Sequence, residues 1–302
     1  MHGSHRMSCV AVSLRSFEER DRPSVLELSR LALSRRELQV GNPAWTTRDE
    51  LDGELRDWAP PPAETLFVAE EAGSLVAFGG VELPPGFDHA ELFGPIERPH
   101  VRGRGIDARL LAASVERARG GGASSVIGAV GTSNSSARML LEQHGFRLSG
   151  PPQAAFRLTP RDHRPVRDGL PLEVRTATRD DVESAVALYR ECFPDGRFSE
   201  AVWHANVEER SVYVAEVEGE IVGVLHIDPA DRWIYHVCVA ERARRRGVAA
   251  SLLSRSLADY WSRRPGETLG LHVDTDNVGA IRLYRRQGFA PWLVLQTLEL
   301  EL

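Results

Sequence analysis

An α/β fold made of two similar units is predicted by three features of the sequence. The chain is 302 residues long, enough for about two domains. Stretches rich in β-branched and aromatic residues alternate with amphipathic stretches at helical spacing. Three segments then occur twice in the same order. VSLRSFEERDRPSVLELSRLAL (12–33) parallels LEVRTATRDDVESAVALYRECF (172–193), RGRGIDARLL (102–111) parallels RRRGVAASLL (244–253), and NSSARMLLEQHGF (134–146) parallels NVGAIRLYRRQGF (277–289). The last two pairs are offset by 142 and 143 positions, so the copies stay in register.

In the first copy a strand is expected near 10–15, helices near 21–34 and 47–58, and strands near 65–71 and 74–83. Gly73-Ser74 is the hairpin signal between the last two. A strand near 90–96 precedes the turn Arg102–Gly105. A helix over 106–119 stops at Gly120-Gly121-Gly122. A strand at 124–131, a helix at 135–144 and strands near 146–158 complete the copy. The second copy repeats this order, with a strand over 172–176, helices over 180–192 and 199–208, and strands over 211–217 and 221–228. A central strand follows, then a helix over 247–263, a strand over 268–274, a helix over 278–287 and a last strand near 293–300. The alternating tail LVLQTLELEL reads as an edge strand with one wet face.

Residues 1–7 read as a tag or disordered lead, 8–160 as the first domain, 161–171 as a linker and 172–302 as the second domain. Three prolines, charges and Gly169 mark the connecting stretch 159–171 as exposed. At 42% hydrophobic and 26% charged, the composition is that of an ordinary globular protein. A net charge of −6 argues against non-specific nucleic-acid binding. No apolar run approaches the length of a membrane span. Every basic side chain apart from histidine is arginine, which rules out a lysine base or Schiff base. Cys9, Cys192 and Cys238 are widely spaced, which suggests neither a disulfide framework nor a metal site, so a reducing, cytoplasmic compartment is expected.

The most informative stretch is WIYHVCVAERARRRGVAASLL (233–253). A strand runs through an Arg-rich turn ending at Gly247 into a helix, which aims several unpaired backbone N–H groups at one point. Such a point attracts phosphate or pyrophosphate. Taken alone, an ordinary β–α corner with a solvated Arg cluster would look the same. The order Arg244-x-x-Gly247-x-Ala249, then a strand, then Asn277-x-x-Ala280-x-x-x-Tyr284, then Gly288-Phe289 goes further. It resembles the GCN5-related N-acetyltransferase (GNAT) family in a tandem form, most specifically over 172–302.

That resemblance implies two units, each a twisted, mixed, mostly antiparallel sheet flanked by helices. It implies acetyl-CoA as cosubstrate, with no metal, and transfer of its acetyl group to a primary amine of a small-molecule acceptor by the second copy. Neither nucleic acid nor membrane is an expected partner, and the state expected is monomer or homodimer. Backbone groups near Val237 and Val239 would bond the pantetheine. Arg244, Arg245, Arg246, Gly247, Val248 and Ala249 would form the pyrophosphate turn. Asn277, an N-cap by position, also reaches the coenzyme in some members of the family. Tyr284 would protonate the leaving thiolate. His236 is the expected base, with His226, His272, Tyr235 or a water chain as rivals, and a structural histidine is an equal alternative. Asp195, Trp203 and His204 lie where the acceptor would enter.

The copies differ in chemistry. Asp107 stands where the second copy has Ala249, Leu141 where it has Tyr284, and Glu97 where it has Val239. Asp107 is expected to fill the first copy's own anion hole, leaving that copy a structural or acceptor-shaping role. The rival reading of the whole chain is a non-catalytic acyl-CoA-binding sensor or scaffold.

Overall fold

The computed structural model describes residues 11–166, 172–194 and 196–302. Residues 1–10, 167–171 and Asp195 lie outside the described residues, and with them fall the expected lead, the second part of the linker, Cys9 and one expected acceptor residue.

In chain order the elements are β1 (Ser13–Ser16), α1 (Arg22–Ser34), α2 (Arg48–Asp57), α3 (Pro62–Thr65), β2 (Leu66–Glu71), β3 (Ser74–Glu82), β4 (His89–Glu97), α4 (Ile106–Gly120), β5 (Ser125–Gly131), α5 (Ser135–Gln143) and β6 (Arg147–Leu148). They continue with β7 (Gln153–Leu158), β8 (Glu173–Thr176), α6 (Val182–Cys192), α7 (Glu200–Glu208), β9 (Val212–Val217), β10 (Glu220–Asp228), β11 (Trp233–Val239), α8 (Val248–Arg263), β12 (Leu269–Asp274), α9 (Val278–Arg286) and β13 (Ala290–Glu301). The expected hairpins close where left-handed residues sit, at Ala72-Gly73 and Glu218-Gly219. Asn134 and Asn277 cap their helices by accepting from Ala137 N and Ala280 N, each at 3.1 Å.

Two compact units form. One comprises the chain up to Gly150 together with Leu295–Leu302, and the other comprises Pro151–Val294. The first unit orders its strands β1-β2-β3-β4-β5-β13, with only β4 and β5 parallel. The second orders them β8-β9-β10-β11-β12-β7, with only β11 and β12 parallel. The repeat in sequence and the packing therefore cut the chain differently. β7 closes the first copy in sequence but pairs with β12, while the end of β13 pairs with β5. The tail is not the edge strand its alternation suggests, because β5 bonds one side of it and β6 also pairs with it at Leu298 and Glu299. Alternation reports one wet face of a sheet and says nothing about whether an edge is paired.

The repeat extends to side chains. Arg15 donates twice to Asp21, at 2.7 and 2.8 Å, and once to Glu70; Arg175 donates twice to Asp181, at 2.6 and 2.8 Å, and again to Glu216. Each unit has its own core: Trp45, Phe78, Phe93, Leu28 and Leu66 in the first, Tyr189, Trp203, Tyr213, Leu225 and Leu252 in the second.

Candidate functional site

In the second unit the parallel strands β11 and β12 pair only at Trp233↔Gly270 and Ile234↔Leu271. Beyond Ile234 the ladder between them stops, although β11 stays paired to β10 as far as Val239. On that side no backbone segment among the described residues pairs with Val237–Val239. A wedge opens there with room for one extended ligand to bond along β11 as a strand would. Val237 and Val239 point away from the buried face that carries His236 and Cys238, as the alternation requires.

The wedge leads to the turn before α8. Arg245 and Gly247 both have left-handed backbones, with φ of 61° and 84°. Arg244, between the strand end and this turn, is extended. Such alternation turns successive N–H groups toward one side and forms a small anion-binding concavity. The N–H groups of Arg245, Arg246, Gly247, Val248, Ala249 and Ala250 have no hydrogen-bond partner among the described residues. A pyrophosphate fits this donor set, since the unpaired donors lie at the positive end of a 16-residue helix. Val248 is buried against the sheet and anchors the turn. The Arg244 side chain, although exposed, folds back to donate from Nε to Val239 O at 3.0 Å. Arg245 and Arg246 are exposed.

Tyr284 on α9 is buried, with its ring 5.7 Å from Phe289. Its hydroxyl has no hydrogen-bond partner among the described residues. Burial pushes its pKa up, and Cys238 nearby adds to this, so the phenol keeps its proton. His236 lies in a box of rings, with Phe198, Tyr189 and Phe193 at 4.5, 4.7 and 5.4 Å between centroids, and His226 stacked at 5.9 Å. Burial, and then the neighbouring His226, push His236 down to about 3. The ring is neutral at pH 7, and its protonated form is disfavoured, which weakens the expectation that it takes the proton of an ammonium group.

Of the other expected residues, Asn277 is occupied as an N-cap. Trp203 and His226 are in the core, which removes Trp203 from direct contact with an acceptor. Tyr235, 39% exposed, bonds Asp231. His204 is exposed beside Glu200, and His272 is exposed with its ring 4.7 Å from Trp233.

The first unit has the same frame with its openings filled. The turn keeps its left-handed residues at Gly103 and Gly105, with φ of 77° and 71°. Glu97 bends from the end of β4 and accepts from Asp107 N at 2.9 Å, while Asp107 accepts from Ala108 N at 2.8 Å. Asp107 thus accepts one donor of its own turn, and Glu97 takes another beside it. Burial, and then Asp107, push Glu97 up to about 7. Pairing of β4 with β5 stops at Glu91↔Ile127. The gap beyond it is taken by the chain itself: Gly41 N donates to Ala129 O at 2.7 Å, Gly131 N to Gln39 O at 2.8 Å, and Gly94 N to Asn42 O at 2.8 Å. Pro95 stands where the second copy has Val237, so that position offers no N–H.

The sequence model of the acetyltransferase (GNAT) family matches this chain twice, over residues 28–146 and 178–289. The chain belongs to the acetyltransferase (GNAT) family. It is an N-acetyltransferase of tandem architecture, and the GNAT family uses acetyl-CoA as its acetyl donor. An N-alpha-acetyltransferase of Sulfurisphaera tokodaii is 28% identical over 147 residues, which is 43% of this chain and 87% of that protein. In solved structures, a GCN5-related N-acetyltransferase of Sphaerobacter thermophilus superimposes with a TM-score of 0.74 at 22% identity, covering 96% of this chain and 95% of its own. A tandem GNAT protein from the clavulanic acid biosynthesis pathway does so with a TM-score of 0.62 at 20% identity, covering 96% and 98%. Both structural likenesses show the fold. Among the described residues no helix is long and apolar enough to cross a membrane, and no cluster of side chains could hold a metal ion.

Sequence reasoning missed Pro95 and the segment Gln39–Asn42. Pro95 was within reach, since the offset of 142 pairs it with Val237. The segment was not, because nothing in its composition marks pairing with strands about 50 and 90 residues away.

Proposed function

We propose that the second unit binds acetyl-CoA and transfers its acetyl group to a primary amine of a small-molecule acceptor. One contrast carries this reading: the β11–β12 wedge and the donor cradle of α8 are open, while both counterparts in the first unit are taken by Gln39–Asn42 and Glu97. The first unit is then a structural copy.

Acetyl-CoA, when bound, would supply a thioester carbonyl for the amine to attack and a thiolate to leave. The residues of the chain do the rest. The turn Arg244–Ala249 holds the pyrophosphate through backbone N–H groups, and exposed Arg246 adds charge. The backbone edge of β11 at Val237 and Val239, which no strand pairs on that side, aligns the pantetheine and offers a donor to the thioester oxygen. Tyr284, kept protonated by burial, gives its proton to the thiolate. His236 is the expected proton acceptor on the amine side. Its burial favours a role in holding the aromatic wall, with water carrying the amine's proton away.

Thiol release from acetyl-CoA, followed colorimetrically with a panel of amino acids, polyamines, aminoglycosides and peptide N-termini, tests this reading. Release that depends on one class of amine supports it. Tight acetyl-CoA binding with no release on any amine would favour the sensor reading.

A further inference from the structure

Cys192 ends α6 with its sulfur beside the end of β11, and the Cys238 side chain points from β11 to the same buried face as His236, whose ring meets Tyr189 of α6. Cys192 is half-buried, and Cys238 is fully buried. Cys192 Sγ also donates to Val239 O at 3.7 Å and receives Arg244 Nη2 at 3.9 Å. Cys238 makes an electrostatic contact with the phenol of Tyr284. Among the described residues, Tyr189 and Glu191 also face Cys238 electrostatically. Two thiols brought to one end of α6, one of them reachable from solvent and beside a guanidinium, satisfy the requirements of an oxidisable thiol with a resolving partner. Nothing in acetyl transfer as derived above uses either sulfur.

We propose that Cys192 and Cys238 form a peroxide-responsive modification site, in which Cys192 is oxidised first and Cys238 closes a disulfide with it. The Cys192 thiolate sulfur attacks one oxygen of hydrogen peroxide. The O–O bond breaks, and the departing hydroxide takes a proton and leaves as water, so Cys192 becomes a sulfenic acid. The Cys238 sulfur then attacks the Cys192 sulfur, the S–O bond breaks, and the hydroxide leaves as water with the Cys238 proton. Two thiols and one peroxide give one disulfide and two waters. The order of events follows from access and charge. The Cys238 thiol, then the Val239 backbone and the Arg244 guanidinium, outweigh burial and bring Cys192 down to about 6, whereas Cys192 and burial push Cys238 up.

The new bond would draw Cys192 away from the Val239 carbonyl and tie α6 to the middle of the strand proposed to line the coenzyme. Oxidation is therefore expected to weaken acetyl-CoA binding, an effect that rests on the function proposed above. The assignment of the thiols does not.

The test uses the full chain in a Cys9→Ser background, treated with graded hydrogen peroxide and digested without reductant. A Cys192–Cys238 linked peptide should form, disappear on reduction, and be absent from Cys192→Ser. In Cys238→Ala, Cys192 should stop at the sulfenic acid and be trapped by dimedone. Alkylation of Cys192 by iodoacetamide should have its pH midpoint near about 6, and Arg244→Gln should move it toward the ordinary thiol value of about 8.5. Cys192 staying reduced at peroxide levels that oxidise free glutathione would overturn the proposal, as would its oxidation in the folded protein without linkage to Cys238. Calorimetry with acetyl-CoA before and after oxidation reads the second part. A linked protein with unchanged affinity removes the effect on binding, while a reduced protein that never binds acetyl-CoA refutes the function proposed for the second unit and leaves the thiol result standing.

Discussion

The two units differ at one strand end in a way that can be transplanted. Val239→Glu would place in the second unit the carboxylate that Glu97 supplies in the first, where it reaches Asp107 N at 2.9 Å. The equivalent donor is Ala249 N, one of the donors of the proposed pyrophosphate cradle. A carboxylate there removes a donor and sets a negative charge within about 5 Å of a phosphate oxygen. At an effective dielectric of about 20, one such pair of like charges costs about 3 kcal/mol, a loss of roughly 100-fold in affinity. Calorimetric titration with acetyl-CoA at pH 8 should show this loss, with thermal unfolding checking that the variant is folded. The loss should also shrink as the pH falls toward 6. Burial holds Glu97 up to about 7, and a similarly buried Glu at 239 would become neutral over the same range and repel less. An affinity within about threefold of wild type at pH 8, in a folded protein, would refute the electrostatic account of the cradle. The converse change, Glu97→Val, should create no second site, because Pro95 and Gln39–Asn42 still close the first unit's wedge.

Tyr284→Phe should lower kcat by about 100-fold or more, the usual contribution of a general acid, with the Kd for acetyl-CoA changed less than threefold; steady-state kinetics beside calorimetry separates the two. Leu298→Ala, although near the C-terminus, should destabilise the first unit by about 2–5 kcal/mol, because Leu298 is fully buried in that unit's core; hydrogen exchange in Ser125–Gly131 reads it. Arg175 holds the Asp181 carboxyl down to about 2, against about 3.9 in an unfolded chain. The ion pair's stabilisation, about 2 kcal/mol, is thus fully present above about pH 4 and lost as the pH falls through about 2; denaturant titrations from pH 7 to 2 should show the decline in wild type and a flatter profile in Asp181→Asn.

Much of this was legible in the sequence, for identifiable reasons. The turn at Gly247, the N-cap Asn277 and the hairpin at Gly219 depend on residues within a few positions of one another, so local patterns reveal them. The comparison of copies worked because register is preserved, and it picked out Asp107, Glu97 and Leu141. It did not show that Glu97 bends onto the donor of Asp107, a contact set by how β4 ends against α4. The pairing of β13 with β5, and of β7 with β12, was hidden because strand order along a chain does not determine strand order in a sheet. His236 read as a base from its position on the strand, whereas its neighbours Tyr189, Phe193 and Phe198 come from elements more than 35 residues earlier.

The central claim is that one unit has an open coenzyme site and the other has closed its own. Hydrogen exchange measured by mass spectrometry with and without saturating acetyl-CoA addresses it directly. Slowed exchange confined to Val237–Ala250, with no change over Glu97–Arg109, is the expected result. Protection over Glu97–Arg109, with Val237–Ala250 exchanging as in the free protein, would contradict it.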